Sequence, residues 1–88
     1  MSKKGRYMFK NKSECGKNNI CGENVSRLRK AQNPKMSQRI LAEALQLKGI
    51  DVDKNAIQRI EAGKRFVTDI ELKALSQIFG VTLDELIK

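Results

Sequence analysis

Apolar residues recur at spacings of three and four along most of the chain, and each run is bounded by a recognisable start or stop. From Glu23 the pattern turns helical, with Val25 and Leu28 three apart and Arg27, Arg29 and Lys30 around them. This first helix is expected to end before Asn33–Pro34, because proline disfavours helical geometry in the residue before it. Ser37 reads as the N-cap of a second helix. Ile40, Leu41, Ala44, Leu45 and Lys48 follow at helical spacing, and Gly49 supplies a left-handed stop. Ile50-Asp51-Val52 bridges to a third helix capped by Asp53, whose buried stripe is Ile57 and Ile60 and whose end is Gly63. After a short link through Phe66 and Val67, Thr68-x-x-Glu71 forms a capping-box pattern. Ile70, Leu72, Ala74, Leu75, Ile78 and Phe79 give the apolar side of the fourth helix, which Gly80 stops. Thr82-x-x-Glu85 repeats the box before a short fifth helix carrying Leu83, Leu86 and Ile87. No segment alternates with period two for long enough to read as a strand. The pattern predicts an all-α domain of five short helices.

Composition divides the chain in two. Residues 1–21 are rich in Lys, Asn, Ser and Gly and read as a basic, mostly irregular arm, with Tyr7, Met8 and Phe9 as a small apolar island. Residues 22–88 read as the single folded domain. Of the net charge of +8, residues 1–17 carry six Lys/Arg against Glu14, giving +5. The remainder carries twelve Lys/Arg against nine acids, giving +3. Such a balance points to a polyanionic partner. No stretch approaches the ~18 apolar residues of a membrane span, and the N-terminus lacks the apolar run of a signal peptide, so a cytoplasmic protein is expected.

Chemistry is sparse. There is no histidine, and the two cysteines, Cys15 and Cys21, cannot by themselves complete a four-ligand zinc site. Free, reduced thiols are expected, and neither receives a function. Histidine is the commonest acid–base catalyst, and no phosphate loop or nucleophile motif occurs. No enzyme, catalytic residue, metal or cofactor is expected.

The informative segment is "KNAIQRIEAGKR", residues 54–65. Ile57 and Ile60 give it one narrow apolar face, and Lys54, Asn55, Gln58 and Arg59 make the rest long and polar. Two helices joined by a glycine-containing turn, the second short and cationic, suit a helix-turn-helix whose second helix enters the DNA major groove. Asn and Gln pair with adenine, and Arg and Lys with guanine. Lys64 and Arg65, just past the helix, are placed to grip phosphate. Any exposed helix carries such side chains; the positive charge and the paired-helix layout give this one its meaning.

Residues 22–88 resemble the Cro/phage-repressor, or Xre-type, helix-turn-helix family. The resemblance rests on "ENVSRLRK", "MSQRILAEAL", "IQRIEAGKR", "VTDIELKALSQIFGV" and "TLDELI", in that order. It implies a compact, lambda-repressor-like five-helix fold. It also implies that Gln38 contacts a phosphate and braces the recognition helix, that Lys54, Asn55 and Arg59 face base edges, and that Gln58 reaches bases or backbone. Lys64 and Arg65 match a loop that follows the phosphate strand. Arg29 and Glu61 correspond to a partly buried ion pair joining the first helix to the third. Two departures stand out. The interval from Ala42 to Ile57, through "QLKGIDVD", is longer than is usual in the family, so a longer second helix and a wider turn are expected. Which recognition-helix residue reaches a base stays open. The link around "QNPK" is also extended, as a surface loop.

The expected function is a sequence-specific regulator of transcription, a repressor that binds double-stranded DNA at an inverted repeat as a homodimer. Since the sequence ends at Lys88 straight after the fifth helix, control through a second, ligand-binding domain is not expected. The alternative is an antitoxin-type module that sequesters a toxin partner and autoregulates its operon. An RNA-binding role is a weaker reading, because the few aromatic residues offer no stacking platform.

Overall fold

A computed structural model describes residues 17–88. Tyr7, Met8, Phe9 and Cys15 lie outside the described residues. Five helices follow one another: α1 (Gly22–Lys30), α2 (Gln38–Leu47), α3 (Lys54–Glu61), α4 (Asp69–Phe79) and α5 (Leu83–Ile87). Among the described residues there is no strand. α3 packs against α1 and α2, α4 against both of these as well, and α5 closes over α4 and α1. Val25, Leu41, Leu45, Ile57, Leu75 and Leu86 are fully or almost fully buried at the centre.

The helix ends follow from local chemistry. The Ser37, Asp53, Thr68 and Thr82 side chains accept from the backbone N–H three residues on, satisfying donors that the first helical turn leaves unpaired. The Thr68 box is complete, with Glu71 reaching back to the Thr68 N–H. The Thr82 box shows its threonine half, and the Glu85 carboxylate faces Lys88 at 3.4 Å instead. α2 ends in a Schellman motif: Ile50 N–H donates to the Leu45 carbonyl at 3.0 Å and Gly49 N–H to that of Gln46 at 2.9 Å. Gly49 holds φ +85°, a conformation open to glycine at little cost. α3 ends the same way through Lys64 and Gly63.

Two isoleucines expected on the apolar sides are half exposed, Ile40 at 47% and Ile70 at 48%. Leu41, Ala42 and Leu45 set the buried face of α2, and Ile40 projects from the far side of that stripe.

The boundary drawn from composition at residue 21 cuts through a packed cluster. Cys21 and Asn19 are buried, and residues 18 and 19 hydrogen-bond to the turn after α3. Burial pushes the Cys21 thiol up to about 11 and keeps it protonated and unreactive at neutral pH. Gly22 opens α1 where it meets the end of α3. A methyl group there would overlap the Ile60 carbonyl oxygen and lie 3.0 Å from that of Glu61. Gly22→Ala is therefore expected to cost about 1–3 kcal/mol by overpacking, read as a lower urea midpoint at unchanged slope.

Candidate nucleic-acid interface

α3 is short and has two faces. Ala56, Ile57 and Ile60 are buried against the domain, while Lys54, Asn55, Gln58 and Arg59 are exposed. At 3.6 residues per turn these four span an arc of about 140° on the outer side. The Asp53 carboxylate fixes the start of the helix, accepting from Ala56 N–H at 2.8 Å. The wide turn before it is tied as well: Gln46 Nε2 donates to the Val52 carbonyl at 2.7 Å. The residues beyond a tight helix-turn-helix thus form a bonded turn, Lys48–Asp53, rather than a loose loop.

The far end of α3 is held from two sides. On one, Glu61 receives Arg29 Nε at 2.6 Å and Nη2 at 3.0 Å, and Gln38 Nε2 at 3.0 Å. Arg29 also donates to the Met36 carbonyl at 3.0 Å. The paired side chains are only 11% and 9% exposed. One network therefore links α1, the link before α2, the start of α2 and α3. On the other side stands Asn19, 1% exposed. Its Nδ2 donates to the carbonyls of Ile60 (3.1 Å) and Arg65 (2.8 Å), and its Oδ1 accepts from Gly22 N–H at 2.8 Å.

Arg65 is not free to act as a loose cation. It makes a two-pronged contact with Glu71, at 3.0 and 3.2 Å, and donates to the Phe66 carbonyl. Lys64, its neighbour, is exposed. Arg39, second in α2, is exposed and lines one groove with Lys54, together with Glu43, Gln46 and Asp53. Neither Arg39 nor Asn19 stands out in the sequence pattern. Adjacency to Gln38 is the one local signal for Arg39. Asn19 has none, because its carbonyl partners lie more than forty residues away.

Among the described residues no group of His, Cys, Asp or Glu is placed to hold a metal ion, and no helix is long and apolar enough to cross a membrane. What the fold presents instead is a rigidly mounted second helix of a helix-turn-helix with a cationic and amide-bearing outer face. That defines a DNA-binding class of protein. A helix-turn-helix family model of the Cro/C1 type matches residues 25–86, and the chain belongs to that family of DNA-binding regulators, a family generally without enzymatic activity. No curated protein and no solved structure matches the chain.

Proposed function

We propose that this protein is a sequence-specific repressor of transcription that binds an inverted-repeat operator as a homodimer in the cytoplasm. The observation that carries this reading is the outward face of α3, with Lys54, Asn55, Gln58 and Arg59 exposed on a helix clamped at both ends. Lys54 and Asn55, at the start of the helix, take the base edges of the major groove together with Arg59, one turn on; Gln58 serves bases or backbone. Arg39 and Lys64 neutralise phosphate, and the uncharged Gln38 adds a hydrogen bond to it. Arg65, bound by Glu71, shapes the loop that presents Lys64.

The homodimer is supported by an apolar groove between α4 and α5, lined by Leu72, Leu83 and Ile87 with Asp69 at its edge. Leu83 is 48% exposed. A second copy would cover this surface and set two recognition helices about one turn of DNA apart.

Selection of bound sites from random duplex DNA tests the reading. The expected result is an enriched inverted repeat. Asn55→Ala and Arg59→Ala should each relax preference at particular positions, by about 1–3 kcal/mol for every bidentate base pairing that the substitution removes. Binding that merely fades with salt, with no motif, would count against specific readout.

One feature favours the second reading, an antitoxin-type module. Leu47 is 90% exposed, and seven residues earlier Ile40 is 47% exposed, so α2 carries an apolar stripe on its outer side. A toxin partner covering that stripe would be recognised by loss of the complex in Leu47→Lys, with operator binding retained.

A further inference from the structure

A shallow groove lies between the turn that ends α2 and the outer side of α4, lined by Lys48, Ile50, Ile70, Lys73, Ala74 and Gln77. Its volume is about 310 Å³, at the small end for a ligand pocket. One wall is a single stripe of α4, because Ile70, Lys73, Ala74 and Gln77 recur at helical spacing. The other wall is the Schellman turn, with Lys48 and Ile50 on either side of Gly49. Nothing stands over that glycine: a methyl group added there would meet no atom within 4 Å.

The groove has an apolar floor and a cationic rim. Ala74 is buried, Ile50 is half-buried and Ile70 is 48% exposed, while Lys48 and Lys73 are exposed. Among the described residues neither lysine is in an ion pair, and no carboxylate lines the groove. Asp51, just beyond Ile50, lines an adjoining hollow with Gln46 and Gly49 instead. Lys48 gains from the negative C-terminal end of α2, but Lys73 stands in the middle of α4 with no such partner.

Each feature narrows the occupant. The exposed isoleucine rewards an apolar side chain, which a phosphate strand does not supply. The two uncompensated cations favour carboxylates beside it. A second copy of this chain, docked through a two-fold axis, would bring lysine against lysine. None of the six lining residues belongs to the DNA-reading set, so filling the groove leaves those side chains free.

We propose that this groove binds a short acidic segment of another protein, with an apolar side chain seated on Ile50, Ile70 and Ala74 and flanking Asp or Glu carboxylates paired with Lys48 and Lys73. The α4 wall runs about 10 Å from Ile70 to Gln77, the length of two turns of a docked helix or of about three extended residues. The surface is separate from the α4–α5 groove and from the Ile40–Leu47 stripe, and binding there does not depend on the repressor reading.

The test selects displayed random peptides on the full chain and titrates the enriched ones into isotope-labelled protein, followed by amide NMR. The expected result is a motif of one or two large apolar residues flanked by Asp or Glu, with shifts concentrated at Lys48, Ile50, Ile70, Lys73 and Gln77. The double variant Lys48→Glu with Lys73→Glu alters only exposed side chains. It should weaken binding about tenfold or more at low salt and leave the melting temperature unchanged. A peptide whose acids are replaced by Lys should regain affinity for that variant. No enriched motif, a motif without acids, shifts confined to another surface, or binding untouched by the charge reversal would each overturn the proposal. So would self-association that the variant abolishes, which assigns the face to a second copy, and duplex DNA that shifts the same residues, which assigns it to phosphate.

Discussion

Glu61→Ala is expected to lower stability by about 3–5 kcal/mol, because it leaves the Arg29 guanidinium nearly buried without its counter-charge. Gln38 is deprived of its acceptor in the same step. A domain of this size has only about 5–10 kcal/mol in total, so the variant should melt some 15–30 °C lower. Operator preference, measured at a temperature where the variant is still folded, should stay as it was, since Glu61 faces the domain and not the groove. Unchanged melting combined with abolished DNA binding would show that Glu61 acts at the interface. The double replacement Arg29→Met with Glu61→Leu separates charge from packing. It removes both buried charges and is expected to recover much of the stability.

Asn19→Ala is expected to cost about 2–4 kcal/mol. It removes one partner from each of three backbone groups: the Ile60 carbonyl, which keeps Gly63 N–H, the part-buried Arg65 carbonyl and the buried Gly22 N–H. Asn19→Asp is the informative companion. It keeps an acceptor for Gly22 but turns a carboxylate oxygen toward two carbonyl oxygens, so it should destabilise at least as much as alanine at neutral pH. Urea denaturation of the two variants reads this directly. Equal stability of Asn19→Asp and the original chain would mean that the two donor bonds contribute little. Because Asn19 also holds the turn carrying Lys64, both variants are expected to weaken DNA binding evenly across sequences rather than change the motif.

The two positions differ in how legible they are. Glu61 and Arg29 are marked by the resemblance of "ENVSRLRK" and "IQRIEAGKR" to the family, and the structure brings them within 2.6 Å. Asn19 sits in a stretch whose composition reads as an irregular arm, and nothing local distinguishes it from Asn11 or Asn18. Its burial exists only because α1 and the end of α3 meet there, with Gly22 allowing the close approach. Arg65 shows the same limit from the other side. Beside Lys64 it reads as one of two equivalent cations. The path of the chain through Phe66 and Val67 brings it onto Glu71, which already serves the cap of α4.

The helices and their ends are written in neighbouring letters. Ser37, Asp53, Thr68 and Thr82 act on backbone groups three residues away, and Gly49, Gly63 and Gly80 take positive φ within their own turns. Such signals are local, so the order of residues alone is enough to place them. The polar face of α3 is fixed at the same level, because the positions of Ile57 and Ile60 leave Lys54, Asn55, Gln58 and Arg59 on the outside. Which cations are free, which polar residues are committed to bracing, and where the N-terminal segment is fastened emerge only from the packed fold. Those outcomes depend on contacts between residues distant along the chain, and burial and pairing arise only when packing brings such groups together.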